Sequence, residues 1–279
     1  MTCSTLFGVQ AALGYVETHL EQKLTLEAVA SAVHYSPYHL HRSFAACIGQ
    51  TLHSYAVRRQ LTEAARLLVS SDMPILDIAL LLGYTSQQAF SAAFKAMYKL
   101  PPAQYRYQQI YYPLQLPLAL SAQCSSRSFQ REDIRLAVVS DIPAWLALLR
   151  SVVDGYPYLD EAAYYQQLVH CINDQRALIL TDDTLAIGAA IFAPDIGSIE
   201  FFGVHPQYRE AGLAKLFLEK LCRDHLSGRP LSTTTFRAGD RADTGYRQLW
   251  QRLGFAADEL LVEWGYPTQR FVLTEGVRP

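Results

Sequence analysis

The hydrophobic period changes once along this chain, near residue 130, and that change excludes a single uniform fold. Through residues 8–106 apolar side chains recur at helical spacing, as Ala12, Leu13, Val16 and Leu20 do. From residue 131 onward, strand-like runs such as "RALILT", "LAIGAAIFA", "SIEFFGV" and "LSTTTF" alternate with helical patterns. The chain therefore reads as two domains, an all-α one followed by an α/β one, and 279 residues suit two domains of ordinary size. Residues 109–130 carry prolines, glutamines and serines without steady periodicity and read as a linker. The domains are then 8–108 and 131–275.

Helix punctuation is dense in the first domain. Expected helices lie at about 8–21, 26–33 after Thr25, 37–48 between Ser36-Pro37 and Gly49, 51–70, 74–82 and 86–98. Short helix, tight turn and exposed helix occur twice, joined by one long helix, which makes two helix-turn-helix units. A helix of about 20 residues spans about 30 Å. Two exposed helices held that far apart match successive major-groove turns, which repeat at about 34–36 Å. The polar face of the first exposed helix offers Tyr38, His39, His41 and Arg42, and that of the second Gln87, Gln88, Ser91 and Lys95. Glutamine pairs in a bidentate way with adenine and arginine with guanine, so these residue types suit base reading in double-stranded DNA.

Charge follows the same division. Residues 1–108 hold eight Lys/Arg against six acids, a balance of +2, while the remainder holds sixteen against twenty, or −4. The asymmetry favours a nucleic-acid role for the first half. Five cysteines are scattered with no C-x-x-C pair, so neither a disulfide framework nor a metal site is indicated. With no signal-like N-terminus and no long apolar run, the expectation is a cytoplasmic protein without a membrane partner.

The residues also carry two family resemblances. Ser36…Leu40…Phe44…Gly49, Arg59 with Ala64 and Leu67-Leu68, Ile78-Ala79…Gly83-Tyr84, Phe90…Phe94-Lys95, Pro102 and Tyr105-Arg106 resemble the AraC-type DNA-binding domain, with Lys99 standing where that family usually has glycine. The resemblance implies a sequence-specific transcription regulator acting on promoter DNA. In the second domain Val204, Pro206, Arg209, Gly212 and Ala214, with the later "YRQLWQRLGF", resemble the GNAT-type N-acyltransferases.

That second resemblance implies a GNAT-like acyl-CoA N-acyltransferase fold. It also implies a site for acetyl-CoA or another acyl-CoA: Arg209, Glu210, Ala211, Gly212 and Ala214 at the pyrophosphate, Phe202 to Val204 along the pantetheine arm. Unpaired N–H groups at a helix start suit an anion. For catalysis, alternation along the strand puts Glu200 with Phe202 and Val204 as candidate base. The position where the family often has an acid tyrosine is Trp250, and Tyr246 one turn earlier is the substitute. Two functions follow: a regulator whose second domain senses acetyl-CoA or a small amine, or an active N-acyltransferase for an amine, peptide or protein, carrying a DNA-binding module.

Overall fold

The computed structural model describes residues 3–118, 120, 127–152, 160–226, 230–263 and 265–273. They fall into two compact units. Of the described residues, one comprises 3–118, 120 and Asp240–Thr244, and the other 127–152, 160–226, 230–239, 245–263 and 265–273.

The first unit is helical: α1 (Cys3–Thr18), α2 (Leu26–Ala32), α3 (Pro37–Ile48), α4 (Leu52–Ser70), α5 (Ile75–Leu81), α6 (Gln87–Tyr98) and α7 (Pro102–Gln108). Hydroxyl caps start four of them. Thr25, Ser36, Thr51 and Ser86 accept from the amides of Ala28, His39, Ser54 and Ala89 at 3.1–3.2 Å, each cap worth about 1 kcal/mol. Gly49 ends α3 with φ 75°. Lys99 ends α6 in the same left-handed region, φ 63°. Its ammonium donates to Ala96 O at 2.8 Å and to Asp240 at 2.6 Å, both within this unit, which helps offset a strain of about 1 kcal/mol.

Two apolar clusters fill the unit, one for each helix-turn-helix. Val9, Val16, Leu40, Phe44 and Tyr55 belong to the first, and Leu61, Ile78, Phe90, Phe94 and Tyr98 to the second. Helix α4 contributes to both. The segment following α7 does so as well, since Tyr112 and Leu114 lie in the second cluster and Leu118 and Leu120 in the first. Much of the stretch read as a linker is thus a strap laid along α4.

The second unit is built on a seven-stranded mixed sheet: β1 (Arg135–Leu136), β2 (Ala177–Asp182), β3 (Leu185–Ala193), β4 (Ser198–Val204), β5 (Leu231–Phe236), β6 (Ala256–Glu263) and β7 (Tyr266–Leu273), in the order β1-β2-β3-β4-β5-β7-β6. All pairs are antiparallel except β4–β5. Helices α8 (Ile142–Ser151) and α9 (Glu161–Asn173) lie toward one face, where Trp145 and Tyr164 meet Phe201. Helices α10 (Leu213–Lys220) and α11 (Tyr246–Arg252) lie toward the other, where Phe217 and Trp250 meet Phe202.

The first strand is shorter than the apolar run 134–139 suggests. Asp141 accepts from the Arg135 guanidinium at 2.6 and 2.7 Å and from Val138 N at 2.8 Å, which turns the chain away from the sheet. No helix among the described residues is long and apolar enough to cross a membrane.

Gly83, in the turn between α5 and α6, has φ 78°, and a Cβ there would lie 2.9 Å from Lys23 N and 3.0 Å from Gln22 C. Rigid backbone on one side and a disfavoured φ on the other leave little room to relax. Gly83→Ala is expected to cost about 2 kcal/mol or more, read as a lowered denaturation midpoint; an unchanged midpoint would refute the close approach.

A candidate nucleic-acid interface and a candidate anion-binding loop

The two helices expected to face DNA are both built as one-sided elements. On α3, Leu40 and Phe44 are fully buried while Tyr38, His39, His41 and Arg42 are exposed. On α6, Phe90 and Phe94 are buried, Gln87, Gln88 and Lys95 are exposed, and Ser91 is half-buried. Neighbours orient part of this surface. Arg42 Nη1 donates to Tyr38 OH at 3.3 Å and its guanidinium lies 5.6 Å from that ring's centre. His39 stacks on Tyr35 at 5.4 Å. The Tyr35 ring in turn packs where Gly8 has no side chain; a Cβ would sit 2.4 Å from it.

What fixes one helix-turn-helix against the other is a set of polar side chains on α4, of which the sequence singled out Arg59 alone, and only within a family resemblance. Arg58, Arg59, Gln60 and Thr62 are all buried. Arg59 grips Glu17 of α1 in a two-pronged ion pair, 2.8 and 2.7 Å, and Tyr55 OH donates to the same carboxylate at 2.6 Å. Burial opposes the Arg59 charge, but the Glu17 hydrogen bond and charge outweigh it and leave its pKa raised. Burial, then Glu17, also pushes the Tyr55 hydroxyl up, so it stays a donor.

Gln60 Nε2 donates to Leu20 O and Gln22 O at 3.1 and 2.8 Å. The strap completes the set. Arg58 donates to Leu114 O, Arg59 to Gln115 O, the amides of Leu114 and Gln115 donate to Thr62 Oγ1, and Leu118 N donates to Tyr55 OH, all at 3.0–3.3 Å. Buried groups of this kind signal themselves only through non-local partners, so nothing in the local sequence marks them.

In the second unit the central feature is where β4 and β5 part. They pair in parallel at Ser198↔Ser232 and Ile199↔Thr233 only. Beyond that, β4 continues to Val204 paired with β3 alone, while β5 continues to Phe236 paired with β7 alone. The facing edges from Glu200 onward are outside any ladder with each other, and their backbone groups suit an extended chain carrying amides.

At the open end of this parting a 3-10 turn, Pro206–Ala211, leads into Gly212 and then α10. Gly212 has φ 72°, and a Cβ there would meet nothing within 4 Å. The glycine is therefore required by backbone conformation, and the space above it is open. The eight-residue helix α10 starts there with no side-chain cap on its first amides. Arg209 lies 6.0 Å from the ring centre of Tyr246, which brings those two expected residues together at the loop. The side chain of Glu210 lies outside the described residues, as do residues 153–159.

Glu200 is placed differently from its expectation. The register slips between Ile191 and Phe192, which pair with Phe201 and Ile199, so Glu200 is the extra residue of a β-bulge. Alternation is broken there. The carboxylate turns toward the α9 side, 3.4 Å from Arg176 Nη1, away from the face that carries Phe202 and Val204. Arg176 Nη2 reaches Cys171 Sγ of α9 at 3.6 Å. Trp250 is buried and packs on Phe202 and Phe255 at 5.4 and 5.1 Å.

His205, which the sequence did not single out, begins the Pro206–Ala211 turn. It is buried, its Nδ1 accepts from Gln207 N at 3.4 Å, and burial, then the charge of Arg209, push its pKa down to about 4. Tyr208, next along, ties the turn to β2 by donating to Asp182 at 2.9 Å.

Comparison with known proteins agrees with the geometry of the first unit. A helix-turn-helix domain model matches residues 29–108. The chain is 37% identical over 99 residues to the regulatory protein SoxS of Escherichia coli K12, covering 36% of this chain and 92% of SoxS. It is 38% identical over 98 residues to the uncharacterised regulator YbfP of Bacillus subtilis and 41% over 92 to the right origin-binding protein of Escherichia coli, spanning about a third of each, 33% and 32%. Among solved structures, the C-terminal domain of AraT from Geobacillus stearothermophilus is 36% identical over 36% of this chain and 84% of that one, TM-score 0.36. A GNAT-family acetyltransferase from Bacillus cereus is 14% identical over 50% of this chain and 95% of that one, TM-score 0.41. Fold and matches together define a double helix-turn-helix, sequence-specific DNA-binding transcription regulator. The chain belongs to the AraC-type family.

The depressed His205 pKa makes a pH prediction. The unfolded chain binds a proton below about pH 6.5 that the folded one refuses until about pH 4, so this contribution is complete above 6.5 and fades as pH falls. From pH 7 to pH 5 the loss is about 2 kcal/mol. Denaturation midpoints across that range should fall less steeply in His205→Gln; identical slopes would contradict the buried neutral imidazole.

Proposed function

We propose that the second unit is a GNAT-like acyl-CoA-binding module that serves as the sensory part of a one-component regulator. The observation that carries this reading is the parting of β4 from β5 at Ile199, running out to the glycine turn at Gly212. An extended arm laid along β4 from Phe202 to Val204 delivers its phosphates to the amides of residues 209–214, where helix N–H groups and Arg209 attract anions. Gly212 and Ala214 keep that approach open, with Glu210 and Ala211 contributing backbone.

Sensing is favoured over turnover by three side chains. Glu200, the candidate base, is held by Arg176 on the α9 side. The position expected to donate a proton is Trp250, and Tyr246 is beside Arg209 at the phosphate end. The ligand is acetyl-CoA or another acyl-CoA, a small amine is a second possible effector, and the regulated partner is promoter DNA. Read this way, the polar faces of α3 and α6 contact bases, with Arg42 and Lys95 also placed for phosphates. Binding shifts the chain between DNA-competent and incompetent forms in proportion to its differential affinity for them.

Calorimetry with acetyl-CoA is the direct test. The wild-type chain should bind saturably in the micromolar range, and Gly212→Glu should not, because a carboxylate then occupies the anion position. The substitution strains a left-handed backbone at a cost of about 1 kcal/mol but meets no neighbour within 4 Å, and circular dichroism checks that the fold is kept. Absence of binding to the wild type would remove acyl-CoA from the account.

A further inference from the structure

Thr235 has a hydroxyl that the fold leaves without a partner. The residue is 7% exposed, and its Oγ1 is buried with no hydrogen bond. Alternation along β5 sets it on the same face as Leu231 and Thr233. That is the α10–α11 face, since Leu231 lies in its core, and Gln269, paired with Thr235 across β7, accepts from Arg247 of α11 at 2.6 Å.

Position along the strand explains the missing partner. Thr233 is the last residue of β5 in register with β4, and its Oγ1 donates to Ile199 O at 3.1 Å. Two residues on, the ladder with β4 has ended, and Thr235 stands at the inner end of the parting. Burying a hydroxyl unpaired is costly, whereas a valine of the same shape carries no such cost. The site therefore has a donor waiting where an extended ligand would terminate.

We infer that Thr235 recognises the acyl-thioester end of the ligand, its hydroxyl donating to the thioester carbonyl. This rests on the acyl-CoA reading of the same site. With phosphates at Gly212 and the arm running back along β4, the reacting end of an acyl-CoA reaches the inner end of the parting, and a polar group there distinguishes an acylated arm from an apolar chain.

The test uses Thr235→Val and Thr235→Ser in the full chain, with acetyl-CoA and with adenosine 3′,5′-bisphosphate, which keeps the 3′-phosphate and one of the two 5′-phosphates but has no arm. Thr235→Val should weaken acetyl-CoA binding about tenfold, leave bisphosphate binding unchanged, and show a ligand-free melting temperature equal to or above wild type. Thr235→Ser should restore acetyl-CoA affinity. Unaltered acetyl-CoA affinity in Thr235→Val, with wild-type binding intact, overturns the role of Thr235 alone. A lowered ligand-free melting temperature also overturns it, by revealing a structural partner for the hydroxyl. Wild-type protein that binds neither probe overturns the acyl-CoA reading, and this inference with it.

Discussion

The ion pair between Arg59 and Glu17 sets the geometry on which the first unit depends. It joins the middle of α4 to α1, and Tyr55 and the strap carbonyl of Gln115 complete its hydrogen bonds. A pair this shielded contributes little net stability over an apolar replacement, yet removing one partner is expensive because the other charge is then stranded. Its effect is therefore on arrangement. With Gln60 holding the α1–α2 loop and Gly83 pressed against the same loop, the two helix-turn-helix units are fixed on one 19-residue helix, about 28 Å long. A fixed separation is the condition under which one chain addresses two successive major grooves.

In the second unit the corresponding constraint is an interrupted ladder. Every strand pair there is antiparallel except β4–β5, and that pair holds for two residues before ending. The bulge at Glu200 falls at the same level. Together they free one edge of β4 beside a turn whose conformation needs glycine at 212. Around this opening the aromatic pair Phe202–Trp250 is apolar, and the Glu200 carboxylate is directed elsewhere.

Much of this was legible in the chain. Thr25, Ser36-Pro37, Gly49 and Gly83 mark helix boundaries through local physics, and the structure has them there because a cap or a positive φ needs only its immediate neighbours. Which residues of α3 and α6 face outward followed from helical period. Features resting on distant partners were not legible. Residues 112–118 look like a linker because the polar groups that capture them, Arg58, Arg59 and Thr62, lie some fifty residues earlier. Alternation misplaced Glu200 because one inserted residue reverses the face, and a bulge has no fixed sequence signature. Thr235 reads as an ordinary β-branched strand residue until the end of the β4–β5 ladder is known.

The central claim is that two recognition helices held at a fixed distance read two DNA segments as one unit. Selecting binding sites for the full chain from a random duplex pool tests it most directly. The account predicts two constrained segments centred about 10–10.5 base pairs apart, with binding lost when five base pairs are inserted between them. A single constrained segment, or tolerance of that insertion, would contradict it.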